Sequence, residues 1–153
     1  MKFTDQLAAA ERANNSLLCI GLDPEPSRFP GGWQGDAGRT FDFCKAIVDA
    51  TKVGAIVDPG GDVPVILDAR RGDIGSTAQQ YAREAFGRYR ADAVTLSPFM
   101  GHDSIEPYLD YADKGLILLC RTSNAGGSDL QAQRLVGADG RPGDLLYEHI
   151  ARL

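Results

Sequence analysis

The chain has 153 residues, 43% of them hydrophobic and 24% charged, enough for one domain with a real core. A formal charge of -5 argues against a nucleic-acid binder that works by broad phosphate neutralisation, although a small phosphorylated ligand needs only a few local donors. No run of about 18 apolar residues occurs, so neither a transmembrane helix nor a membrane partner is expected, and the acids early in the N-terminal segment argue against a signal peptide.

MKFTDQLAAAERANN reads as an amphipathic helix. SLLCIGLD, Ser16–Asp23, is apolar up to its closing acid, the pattern of a parallel strand buried on both faces. The Pro- and Gly-rich PEPSRFPGGWQGDAG follows as a loop. RTFDFCKAIVDAT, Arg39–Thr51, has helical spacing through Phe43, Ile47 and Ala50, and VGAIV beyond it is a short candidate strand. VPVILD, Val63–Asp68, predicts a buried strand. TAQQYAREAFGRYR then puts Ala78, Tyr81, Ala82, Ala85, Phe86 and Tyr89 on one helical face. DAVTLSP predicts a strand ending at Ser97, and DSIEPYLDYAD a helix with Asp103 and Glu106 as a capping-box-like start. GLILLCRTS, Gly115–Ser123, is a further strand, and DLLYEHIARL a closing helix. Strand and helix alternating at this spacing predict an α/β fold with a parallel sheet.

Cys19, Cys44 and Cys120 are an odd number without CxxC spacing. They read as reduced core thiols of a cytoplasmic protein, not as a disulfide or metal site. His102 and His149 have no evident acid-base partner and are expected on the surface.

Polar residues recur just past each strand: Asp23; Asp68 with Arg70 and Asp73; Ser97; Arg121 with Ser123. Active sites of parallel α/β folds gather at that edge. In an extended chain Asp68 and Arg70 share a face, because side chains alternate with period two. DARRGD alone fits a surface turn held by local Asp–Arg pairs as well as it fits a reaction centre.

LDARRGDIGST resembles the signature of the orotidine 5'-phosphate decarboxylase family, which carries Asp-x-Lys-x-x-Asp at a strand end. The resemblance extends through LCIGLDPEPSRFP, FDFCKAIVDAT, YAREAFGRYRADAVTLSPFMGHDSIEPYLDY and KGLILLCRTSNAGGSDLQ, in the order of the longer bacterial subgroup. It implies a single, incomplete (β/α) TIM-type barrel domain over residues 1–153, about four to five βα units of the ribulose-phosphate-binding kind. It also implies a carbon-carbon lyase that makes UMP and carbon dioxide in cytoplasmic pyrimidine synthesis, without cofactor or metal.

On matching positions, Asp23 would bind the ribose hydroxyls and Ser123 the pyrimidine. Asp68 would face the substrate carboxylate, and Asp73 and Thr77 would reach into the partner of a homodimer or larger assembly. Three departures bear on activity. The family's central lysine is Arg70 here, and arginine, with a pKa above about 12, gives up a proton poorly. The strand bearing a further catalytic lysine, and its helix, are not evident before VPVILD; Lys52 does not fall at a strand end. The chain stops after about the fifth βα unit, whereas a complete barrel has eight strands and roughly 250 residues. Two readings follow: a decarboxylase impaired as this chain, or a non-catalytic barrel fragment that binds nucleotide or associates with another chain. A phosphosugar aldolase or decarboxylase of the same superfamily fits less well, since it would keep the lysine.

Overall fold

The computed structural model describes residues 1–51 and 63–153. VGAIV and Lys52 lie outside the described residues. Three parallel strands form the central sheet in the order β1-β2-β3: β1 (Ile66–Arg71), β2 (Ala93–Leu96) and β3 (Gly115–Leu118). β2 lies in the middle, and all four of its residues are buried. It pairs with β3 in continuous register, Ala93 opposite Gly115 through Leu96 opposite Leu118. Its pairing with β1 is interrupted between Leu67 and Arg71.

The core lies between this sheet and two helices. α3 runs Gly75–Arg83 and continues as a π-helical turn over Glu84–Arg88, while α4 is the short Glu106–Leu109. Ala82, Ala85 and Phe86 pack with Val94, Leu96, Ile105 and Tyr108. Phe86 meets Tyr108 edge to face at 6.4 Å. Burying side chains such as Val94 and Leu96 stabilises the fold by about 1.5–3 kcal/mol each. The apolar face expected between Thr77 and Arg90 is thus the face that packs, although Tyr89 is exposed.

α1 (Phe3–Asn14) sits at the N-terminal ends of the strands, with the Phe3 N–H donating to the Asp113 carbonyl at 2.8 Å. α2 (Thr40–Thr51) is held to the preceding loop by stacking of Phe43 on the buried Phe29, ring centres 4.3 Å apart.

Several expectations need correction. Ser16–Asp23 is irregular and exposed, with Leu17 83% and Leu18 75% accessible. A parallel strand exists only where a neighbour takes its backbone hydrogen bonds, and the described residues place none beside this run. Cys19 is therefore exposed instead of a core thiol, while Cys44 and Cys120 are half-buried; all three are free. β1 is an edge strand of the described sheet, with Asp68 and Arg70 exposed, and so is not buried on both faces. The strand expected over Gly115–Ser123 ends at Leu118, five residues before Ser123. Asp103 lies in a 3-10 turn (His102–Ser104) and does not cap α4, whose N-cap position is Ile105.

The closing helix is shorter than expected. β4 (Arg134–Val136) and β5 (Pro142–Leu145) form an antiparallel ribbon after α5 (Gly127–Gln131), and only then does α6 (Leu146–Ile150) begin. Glu148 accepts the Leu145 N–H at 2.9 Å, so the N-cap of the helix, Leu145, lies three residues before that acid. His102 and His149 are exposed, as expected. No helix among the described residues is long and apolar enough to cross a membrane.

Candidate active site

The interruption between β1 and β2 makes the site. Leu67 pairs with Val94 and Arg71 with Leu96, so Asp68, Ala69 and Arg70 share the space opposite Thr95. Such bulges bend a strand and re-aim its side chains. Arg70 turns into the left-handed region, φ 48°, a conformation uncommon outside glycine. Its side chain closes on Asp68, with Nη2 donating to Oδ2 at 3.2 Å and Nε to Oδ1 at 3.4 Å. The two residues expected to share a face do meet, through a bulge and not through simple alternation.

Thr95 completes the group. Its hydroxyl donates to Asp68 Oδ1 at 2.7 Å and accepts the Arg70 backbone N–H at 3.0 Å. These bonds favour the ionised carboxylate: Thr95 first and Arg70 second hold the Asp68 carboxyl below its ordinary value of 3.8, against a smaller opposing effect of burial. The arrangement presents a fixed negative carboxylate beside a permanent guanidinium charge at the C-terminal part of a parallel strand. Thr95 was not singled out from sequence. The available signal was a lone hydroxyl residue inside the apolar run AVTL.

Next to it, Arg71 turns toward the helices. It pairs with Glu84 at 3.1 Å and lies over the Tyr81 ring at 4.5 Å. Glu84 comes from the π-helical turn of α3. Tyr108 lies nearby, and burial pushes its hydroxyl up. The ends of β1 and β2 abut: the Ser97 N–H donates to the Arg71 carbonyl at 2.7 Å, and a Cβ on Gly72 would come within 3.0 Å of the Ser97 carbonyl.

The other predicted residues lie outside this hydrogen-bonded group. Asp73 is half-buried and accepts the Ile74 N–H at 2.9 Å ahead of α3. Thr77 is exposed in the first turn of α3. Asp23 is exposed on the irregular N-terminal run, and Ser123 is exposed in the loop after β3. Among the described residues no hydrogen bond or ion pair joins these four to Asp68 or Arg70. Arg121 ties its loop to α5, donating to Ser128 Oγ at 2.7 Å and to Gln131 Oε1 at 3.3 Å. Gln131 also accepts the Thr122 N–H at 2.8 Å, which fixes the loop carrying Ser123. No cluster of three or more metal-ligating side chains occurs among the described residues.

Comparison with known proteins bears on this arrangement. The family described as Orotidine 5'-phosphate decarboxylase / HUMPS matches residues 16–142. The chain is 61% identical over 176 positions to an orotidine 5'-phosphate decarboxylase of Leptothrix cholodnii, covering 99% of this chain and 61% of that one. It is 60% identical over 178 positions to the Methylibium petroleiphilum protein of the same name, covering 100% and 63%. Alignments that long over 153 residues leave more than 20 positions of each relative without a counterpart inside this chain. The chain spans about three fifths of the length of these relatives. Among solved structures it resembles a Leishmania donovani OMP decarboxylase, with TM-score 0.74, 36% identity, and 99% of this chain covering 64% of that one. It also resembles a Leishmania donovani UMP synthase, with TM-score 0.76, 36% identity, and 99% covering 36%.

Proposed function

The chain belongs to the orotidine 5'-phosphate decarboxylase / HUMPS family, and its α/β architecture is a partial (β/α) TIM-type barrel; from that premise we propose that it is a decarboxylase of orotidine 5'-phosphate, slowed by Arg70. The observation that carries this reading is the ionised Asp68 carboxylate, fixed beside Arg70 at the strand end. A substrate carboxylate brought against Asp68 meets a like charge, and leaving as carbon dioxide relieves the repulsion. The electron pair stays on the ring carbon, where the Arg70 charge stabilises it. A proton must then reach that carbon, here from solvent water at this exposed site, to give UMP and hydroxide. Arginine holds its protons too tightly to be a good general acid, and loss of a positioned acid costs about 10²–10⁴ in rate.

The remaining residues take supporting roles in this proposal. Asp23 binds the ribose hydroxyls and Ser123 the pyrimidine, while Asp73 and Thr77 serve the site of a second copy in a homodimer of a cytoplasmic enzyme. No cofactor or metal is required by this scheme.

The test is carbon dioxide release from orotidine 5'-phosphate by the purified chain, made in a host lacking its own enzyme. Slow release that Asp68→Asn abolishes supports the proposal. Release at the same rate with Asp68→Asn would overturn it.

A second reading, a non-catalytic module that binds nucleotide, is favoured by the closure of Arg70 onto both Asp68 oxygens. A thermal melt with UMP separates the two. A site that binds only in the folded state stabilises the chain by about 2.7 kcal/mol at one hundred times the dissociation constant. An upward shift without any turnover would select the second reading.

A further inference from the structure

Thr95 stands out within β2. It is buried, 7% exposed, on a strand whose other members, Ala93, Val94 and Leu96, are apolar. A buried hydroxyl must be satisfied by partners, and here both partners come from the bulge of β1. The Arg70 backbone N–H can only donate, so the Thr95 oxygen accepts it at 3.0 Å. The carboxylate of Asp68 can only accept, so the Thr95 proton goes to Oδ1 at 2.7 Å. The relay therefore has one direction: Arg70 N–H to Thr95 hydroxyl to Asp68 carboxylate.

This geometry ties two features to one side chain. The left-handed backbone of Arg70 would otherwise point its N–H at an interrupted ladder. The carboxylate of Asp68 would otherwise rotate freely, since it is exposed and its remaining partner is the flexible Arg70 side chain. We propose that Thr95 is the positioning residue of the site, holding the Asp68 carboxylate in one orientation and the Arg70 backbone in its bulged form. This inference rests on the decarboxylase reading for its consequence in catalysis, but the positioning itself is measurable without turnover. The charged group acting on Asp68 among the described residues is Arg70, from the same strand; β2 contributes the neutral Thr95.

The experiment follows the Asp68 carboxyl by carbon-13 NMR through an acid titration, with the signal assigned by its loss in Asp68→Asn. Thr95→Val removes the hydroxyl at nearly constant volume, and Thr95→Ser keeps it. The Asp68 midpoint should rise toward the ordinary carboxylate value in Thr95→Val and return to the unaltered position in Thr95→Ser. Should Thr95→Val fail to fold, Thr95→Ala serves in its place. In the unaltered chain the Arg70 amide signal should titrate together with Asp68, and that coupling should vanish without the hydroxyl.

A midpoint that does not respond to loss of the hydroxyl would overturn the inference, as would an Arg70 amide that stays flat in the unaltered chain. A side chain that merely fills the core would change stability and leave both readouts in place. The two proposals fail separately. Absence of turnover with a responsive Asp68 midpoint removes the decarboxylase reading and keeps the positioning role. Turnover with an unresponsive midpoint does the reverse.

Discussion

Gly115→Ala probes how α1 is seated beneath the sheet. A Cβ on Gly115 would lie 2.5 Å from Phe3 Cδ1, 2.8 Å from Phe3 Cγ and 2.8 Å from the Ala93 Cβ. Ordinary carbon contacts are about 3.5–4.0 Å, so the new methyl lacks about 1 Å of room. Ala93 has little freedom to give way, being fully buried on the central strand and paired in register with Gly115. Phe3 must yield, although its N–H is tied to the Asp113 carbonyl. Overpacking of this kind costs about 1–3 kcal/mol. Replacing glycine returns about 0.4–1 kcal/mol by restricting the unfolded chain. The expected net loss is about 1–2 kcal/mol, or a fall in Tm of about 2–8 °C. Urea unfolding followed by far-ultraviolet circular dichroism measures it, with Phe3→Ala and the double variant alongside. The cost of Gly115→Ala should shrink when the Phe3 ring is absent, because two of its three close contacts are gone. Unchanged stability in Gly115→Ala, or an equal cost in both backgrounds, would refute the packing assigned to Phe3.

Arg70→Lys supplies the missing proton donor and should speed carbon dioxide release by up to about 10²–10⁴. The Asp68–Arg70 pair is solvent-exposed, so the melt should move by less than about 1 kcal/mol; rates equal to or below those of the unaltered chain would remove the role given to Arg70. Asp68 titrates below its ordinary 3.8 because its ionised form is bonded. Its contribution to stability is therefore complete above that value and is lost as the pH falls through its lower folded value. The stability difference between the unaltered chain and Asp68→Asn should hold near neutrality and close in strong acid, as read from urea midpoints across pH; a difference independent of pH would contradict it. Leu17→Ser and Leu18→Ser should each change stability by no more than about 0.5 kcal/mol, since both side chains are exposed. A loss above about 2 kcal/mol, as expected for a buried strand, would restore the strand reading of Ser16–Asp23.

Much of the framework could be read from the order of the residues. The helix before Asn15, the helix at Thr40–Thr51 and the apolar face from Ala78 to Phe86 show local periodicity, and the three strands of the central sheet show as short apolar runs. Local periodicity survives because it reflects the geometry of a single element. The pairing of Asp68 with Arg70 was legible for a related reason, since the two residues are neighbours in sequence. The motif DARRGD, with its surrounding segments, also identified the family that matches residues 16–142.

For the N-terminal run and for Thr95, the deciding contacts lay far away in sequence. Ser16–Asp23 has the apolar character of a strand, but that character supplies no backbone partner, and the run lies exposed. The β4–β5 ribbon was hidden for another reason: its strands are neighbours in sequence, Val136 opposite Pro142, but Gly137, Gly140 and Gly143 dilute the strand pattern. Thr95 lies 27 residues from Asp68 and 25 from Arg70. Its hydroxyl reaches them only because β1 bulges across β2, and a bulge is a property of two strands together. Residue order determined which elements this chain can form and which charges sit side by side. Tertiary pairing decided which of those elements exist and which side chain orients the carboxylate, because a hydrogen bond between strands requires both strands in place.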